Sequence, residues 1–491
     1  SDPDAIRVGD DYYMISSSFN HAPGLPILHS KDLVNWSLIG HVLKQLPPYE
    51  HFSKVQHGGG VWAPAIRYHN NEFYIYYPDP DFGIYLTKAK NILGPWSEPV
   101  LVATGKGLID PCPLWDDNGK AYLVHAYAGS RAGVKSIIVV KEMNKEGTKI
   151  IGDAVMVYDG HENDPTIEGP KFYKRNGWYY IFAPAGGVTP GWQTVLRSKN
   201  VFGPYERKIV LHQGGSPVNG PHQGAWVDTK TGEDWFLHFQ DKDAYGRIIH
   251  LQPMKWINDW PVIGDDKDGD GKGEPVLTYR KPNVGKTWPV STVADSDEFN
   301  TSKPGLQWQW QANPKEGWAF TTPGGFLRMF SVLLPDSVKS AWDYPNILAQ
   351  KFPAEEFTAT AKFSFLPRWE GEKFALMVHG IDYAFLALEK KADGNYLSFA
   401  SCREADKGSK ETVQDGNKIN SQDIYFRVKV SKGAVCAFSY SEDGKTFIPF
   451  GENFVAKPGR WVGAKVGMFF TRKNKTNDAG YVNVDWFRIE Q

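Results

Sequence analysis

Residues 161–187 read HENDPTIEGPKFYKRNGWYYIFAPAGG. The turn pair Asn176-Gly177 is followed by aromatic-rich alternation, the signature of a β-hairpin. Upstream, Glu168 stands between an apolar residue and a Gly-Pro pair, at the entrance to what reads as sheet interior. A charge in such a place is costly unless the chain has a use for it.

The same grammar recurs four more times in the first 280 residues, as GDDYYMIS, NNEFYIYY, NGKAYLVHA and GEDWFLHF. The key aromatics Tyr13, Tyr74, Tyr122, Tyr180 and Phe236 are separated by 61, 48, 58 and 56 residues. That period matches one four-stranded propeller blade with its loops. Eleven to fourteen positions before each aromatic stand Asp2, Trp62, Asp110, Glu168 and His222. If each opens an inner strand, the five side chains converge on one axial pocket, which accounts for Glu168.

From about Trp288 the periodicity stops. FTATAKFSF, YAFLALEKK, IYFRVKVS, AVCAFSYS, WVGAKVGMFF and GYVNVDWFRIE alternate at period two between Gly, Asn and Asp turns, the pattern of a β-sandwich. The expected fold is therefore all-β, with a propeller over 1–284, a linker over 285–294 and a jelly-roll, concanavalin-like sandwich over 295–491. A chain of 491 residues is in any case too long for one core.

Composition narrows the partners. A net charge of −1 without a basic run leaves no footprint for nucleic acid or an anionic membrane. No apolar run is long enough to span a bilayer, and the first residues already read as strand and turn, so no signal peptide is expected in this chain. Cys112, Cys402 and Cys436 form neither a disulfide framework nor a zinc spacing and are expected as buried thiols. The 18 Trp, 23 Tyr and 28 Phe are mostly core material, but they also supply flat platforms for sugar rings.

Two carboxyl groups facing across a sugar-sized pocket are the minimum apparatus for glycosidic cleavage, and a third nearby keeps the acid protonated. An isolated Asp-Pro is ordinarily a turn, and Asp79-Pro80 and Asp164-Pro165 are read that way. Asp2 and Asp110 differ because they share the repeat position of Glu168.

The ordered motifs DPDAIRVGDDYYMISSSF, HSKDLVNW, GVWAP, IDPCPLWDDNGKAYLV, EGPKFYKRNGWYYIF and GRIIHLQPMKW resemble family 43 of the glycoside hydrolases over about residues 1–280. The sandwich resembles that family's C-terminal lectin-like domain. The resemblance implies a five-bladed propeller that hydrolyses with inversion: Asp2 as general base, Glu168 as general acid, and Asp110 tuning and orienting the acid. Carried over likewise, Trp62 packs on the terminal sugar, Arg247 reaches its hydroxyls and His222 lies near the pocket floor, with no metal ligand set around it. Phe19 and Trp192 are candidate walls. For Trp62 and His222 the bland alternative is blade core, and for Arg247 a surface ion pair. Fructosyl-cleaving cousins carry Arg-Asp-Pro and Glu-Cys where this chain has Ile-Asp-Pro and Glu-Gly, which disfavours that chemistry.

The expected activity is exo-removal of a terminal pentose from a hemicellulose oligo- or polysaccharide. NGPHQGAW and GDGKGEPV resemble the arabinose-removing branch, so α-L-arabinofuranosyl release is expected ahead of β-D-xylosyl release. A non-catalytic sugar-binding propeller and a protein scaffold are the competing classes. No cofactor is expected. DDKDGDGKGEPV, Asp265–Val276, opens like a calcium loop, but counting from Asp266 puts Leu277 where a bidentate Glu belongs, so a structural calcium is only an alternative to a solvated turn. Trp308 or Trp310 is the candidate by which the sandwich narrows the pocket. Polysaccharide side chains are met outside the cytoplasm, so a periplasmic or secreted location is expected.

Overall fold

The computed structural model describes residues 1–491 and contains five consecutive four-stranded antiparallel sheets followed by two eight-stranded sheets. The blades run from Asp4–Val8 to Trp36–Leu43, Ala65–His69 to Val100–Thr104, Leu108–Trp115 to Val155–Asp159, Lys171–Arg175 to Glu206–Leu211, and His222–Asp228 to Trp260–Ile263. Each repeated motif forms the hairpin between the first and second strand of its blade. The tightest of these turns place Asn70-Asn71 and Asn176-Gly177 at positive φ, matching the right-handed strand twist.

Alternating apolar side chains fill the five gaps between neighbouring blades. Blades one and two pack through Ile27, Phe73 and Tyr77, three and four through Val124, Phe172 and Ile181, and four and five through Phe182 and Phe236. Every blade is built from four consecutive strands, and the last gap is special because no connecting loop leads from blade five into blade one. It is closed by Ala5, Tyr12, Met14, Leu33, Val227, Trp235 and Leu237, and by the Arg7–Asp228 ion pair. Outside it runs residues 279–291: Arg280 pairs with Glu233, Asn283 accepts from Thr231, Val284 packs on the cluster, and Ser291 bonds Asn35 and Ser37. Truncating a residue such as Trp235 to Ala would cost about 3–5 kcal/mol by the usual cavity penalty.

In the sandwich, the two sheets enclose one large core that includes Phe363, Phe374, Phe426, Val466, Phe470 and Phe487. The segment expected as one strand, WVGAKVGMFF, is a strand only from Lys465; Trp461–Ala464 is a loop. Trp461 has φ +64°, and Gly463 lies so close to the propeller that a Cβ there would meet the amide nitrogen of Gly246 at 2.6 Å. The Ala464 amide donates to the Ala244 carbonyl at 2.7 Å. Only glycine at both positions lets the sandwich loop dock on the turn that leads into Arg247.

The Trp-rich segment is a second staple between the domains. Trp310 exchanges backbone hydrogen bonds with Ala22, and the Asn313 side chain bonds both the amide and the carbonyl of Leu46. Trp308 is buried in the sandwich core, donating to Asp297. Neither Trp308 nor Trp310 reaches the pocket, which corrects the expectation for that segment.

Candidate active site

One cavity opens at the propeller axis, with about 440 Å³ of open space. Its walls include Asp2, Asp110 and Glu168, so acids far apart in sequence do meet. Phe19, Trp62 and Arg247 line the same cavity. The repeat positions are not all equivalent, however. Asp2 and Asp110 each precede a proline, and the matching residues of blades two and four are Ala63 and Gly169, before Pro64 and Pro170. Trp62 and Glu168 thus stand one residue upstream of that slot.

The slot has a strained backbone. Asp2 and Asp110 have φ +47° and +56°, a left-handed conformation that is uncommon for a non-glycine residue and further disfavoured before proline. Such strain persists where the surroundings over-determine it, and it concentrates at functional sites. In blade four Gly169 takes φ +59°, and a Cβ there would meet the Gln223 side chain at 2.5 Å. Its amide donates to Asp110 Oδ2 at 2.7 Å, so the glycine of the Glu-Gly-Pro run aims a hydrogen bond at the neighbouring acid.

The carboxyl groups have opposite surroundings. Asp2 accepts from Arg247 Nη1 at 2.6 Å and from the Ser17 hydroxyl at 2.6 Å. Burial opposes its ionisation, but the Arg247 charge and these hydrogen bonds win, holding the carboxyl below its ordinary value. Asp110 is pushed up to about 8, chiefly by burial and then by the neighbouring Glu168 charge; Lys171, which donates to the Pro64 carbonyl, pulls the other way without prevailing. The Gly169 amide and the weaker Gln223 donor at 3.3 Å also favour the charged form of Asp110 without overcoming its burial.

His222 is fully buried and does not line the cavity. Its Nε2 lies 2.9 Å from Glu168 Oε1, so it positions that carboxyl from beneath, and its Nδ1 has no hydrogen-bond partner. Trp192 is likewise not a wall. Its indole donates to Asp164 at 3.0 Å and packs among the residues between blades three and four, because Asp164 is a buried hub that also accepts from Arg207, Thr194 and Tyr158. Asp164-Pro165 is therefore more than a turn. Asp79 does make a turn with Asp81 and Phe82, although burial pushes its carboxyl up to about 7.

The wall that sequence reading missed is Trp461 from the sandwich. It meets Trp62 edge to face at 6.1 Å and lies 5.9 Å from the Arg247 guanidinium, while the Trp62 indole is fixed by donation to the Gly58 carbonyl at 2.7 Å. A Trp between glycines in PGRWVG was the available signal; the alternating residues after it hid it. Gln223, also missed, has φ +36° and supports Asp110 from blade five.

The profile of glycosyl hydrolases family 43 matches residues 1–261, and that of the beta xylosidase C-terminal concanavalin A-like domain matches residues 296–490. The chain belongs to family 43 of the glycoside hydrolases. As a family 43 enzyme it hydrolyses glycosyl bonds. A Xylanibacter ruminicola protein provisionally named a beta-xylosidase is 40% identical to it over 96% of this chain and 85% of its own length. A beta-xylosidase of Formosa agariphila is 34% identical over all of this chain and 88% of its own length. A non-reducing end alpha-L-arabinofuranosidase of Bacteroides ovatus is 31% identical over 78% and 72%.

In this family 43 enzyme the acidic loop is remote from the cavity walls. Ligand oxygens of Asp266, Asp268 and Asp270 lie within 4.8 Å of one another, a donor set that suits a hard cation, but Glu274 is paired with Lys267 and no closing carboxylate joins them. The three cysteines are free and buried. No helix is long and apolar enough to cross a membrane.

Proposed function

We propose that this family 43 enzyme is an exo-acting, inverting β-D-xylosidase that releases terminal xylosyl residues from xylo-oligosaccharides. The observation that carries the choice of sugar is whole-length likeness: the relatives at 40% and 34% identity bear xylosidase names, whereas the arabinofuranosidase is more distant and covers less of the chain. This reverses the arabinose preference expected from two loops. One of those stretches, GDGKGEPV at residues 269–276, pairs through Gly273 with Leu211 and through Glu274 with Asp265, and none of its residues lines the cavity.

The chemistry follows from the split surroundings of the carboxyls. Asp2, held ionised, takes a proton from water as the water oxygen bonds to the anomeric carbon. Glu168 gives its proton to the departing glycosidic oxygen on the opposite face of the ring, and the C–O bond breaks with inversion. Asp110, which accepts from the amide of Gly169 next to Glu168, orients that acid through the shared backbone. Trp62 and Trp461 offer apolar faces to the ring, and Arg247 both secures Asp2 and presents donors to hydroxyls. The cavity accommodates a single terminal ring, which supports exo action. Side chains and water suffice for these steps, and calcium at Asp266–Asp270 would act on stability alone. Because such substrates are met outside the cytoplasm, we place the enzyme in the periplasm or outside the cell.

The test pairs nitrophenyl β-D-xyloside with nitrophenyl α-L-arabinofuranoside, with the first-formed anomer followed by proton NMR. Faster xylose release with the α-anomer appearing first is expected; release of β-xylose as the first product, or a preference for the arabinofuranoside, rejects the corresponding half of the reading.

A further inference from the structure

The sandwich turns a row of cationic residues toward the propeller. Lys351, Lys465 and His379 stand directly opposite one another on three adjacent strands, Lys351 pairing with Lys465 and Lys465 with His379, so the three side chains share one face. Like charges in that arrangement repel, and nothing in the sandwich fold requires them.

Lys465 is only 3% exposed and makes no hydrogen bond or ion pair with any protein group. It faces a small, partly open cavity at the domain seam that also presents His21, His57, Gln311 and His379. The cavity has room for about one particle the size of a water molecule or a halide ion. His379 is buried, and its Nε2 has no partner. The nearby carboxylates are engaged elsewhere: Asp343 holds His57 at 3.0 Å, and Asp406 holds Arg460 at 2.8 Å. Burial first, and then the surrounding cations, push Lys465, His21 and His379 down, with no carboxylate among the causes.

A buried ammonium without a counter-charge is strongly disfavoured. A cluster of like-signed groups around a void lowers that cost when a counter-ion fills it. We propose that the seam cavity is a binding site for one monatomic anion of halide size, held by Lys465 and His379 and bridging the two domains. Its roof is Gly459, Arg460, Val462 and Gly463, the segment that carries Trp461. The anion therefore fixes, from behind, the loop that supplies the sandwich's wall of the active site.

The test uses the full chain. Crystals soaked in sodium bromide should show an anomalous peak in contact with Lys465 Nζ, absent in Lys465→Met. In solution, the thermal midpoint should be several degrees higher in sodium chloride than in sodium gluconate at equal ionic strength, and Lys465→Met should lose the difference. If that variant does not fold, His379→Gln should at least halve it. No peak with equal midpoints in the two salts means a neutral lysine beside water and overturns the proposal. A peak that persists in Lys465→Met overturns it too, as does a peak with no midpoint difference, which is capture at soaking concentration only.

Discussion

Asp2 and Asp110 begin their blades in the same way, with a left-handed backbone, a following proline and a side chain turned to the axis. Their surroundings nevertheless drive them apart. The blade-one acid has a guanidinium and a hydroxyl on its oxygens; the blade-three acid has a backbone amide, an amide side chain and another carboxyl beside it. The same residue in the same backbone frame is held low in one place and pushed up to about 8 in the other, the split that the proposed mechanism uses. Roles in this site are assigned by neighbours on other blades, and position in the repeat only brings the groups within reach.

The comparison breaks most completely if the proton-holding side loses its acid. Glu168→Gln should lower kcat at least about 10²-fold on substrates with poor leaving groups, with a smaller loss on activated aryl glycosides. Equal losses on both would reject the acid role.

Asp110→Asn should shift the alkaline limb. In the wild type, activity should fall as pH rises through the region of about 8, where Asp110 gives up its proton. With no titrating carboxyl at position 110 that limb should move away from about 8, and activity at pH 7 should fall roughly 10-fold or more. Stability has its own sign. Asp110's folded value lies above its unfolded one, so the folded form binds more protons and wild-type stability falls as pH rises between the two values. The Asn variant should lack that decline and melt higher at pH 8, as pH-dependent calorimetry would register.

Arg247→Met acts on the other side. It leaves burial of Asp2 opposed only by the weaker interactions, so the acid limb of kcat/KM should move upward and the loss should be larger at pH 5 than at pH 7. An unmoved acid limb would mean that Arg247 serves only the sugar hydroxyls.

The smallest effect belongs to the wall both sides share. Trp461→Ala should raise KM by roughly 10-fold or less with kcat nearly unchanged, because ring stacking contributes to ground-state and transition-state binding alike.

The architecture was readable because each blade opens with a polar turn and an aromatic hairpin, signals local enough to survive in one sequence. The three acids were readable for the same reason, although counting back from the aromatics hid the one-residue offset of Trp62 and Glu168 from the Pro-preceding slot. What sequence spacing does not encode is which way a side chain turns once the chain leaves the sheet. Trp192, beside the glycine-rich 186–191 turn, is drawn by Asp164 into the packing between blades rather than toward the axis. Trp461 shows the converse: alternation alone reads it as strand, and the close approach of Gly463 to Gly246 makes it a loop that crosses between domains. Nothing in its own neighbourhood of the sequence names that distant partner.

Four of the propeller's junctions are spanned by the loop that links one blade to the next, whereas the first and last blades have no such link and residues 279–291 lie across their junction. The ring is thus a split collar with its clasp on the outside. Under denaturant or pull it should part there first, so amide exchange in the strands on either side of the split would speed up well before the other four junctions loosen, and cutting the chain near residue 285 would unfasten it.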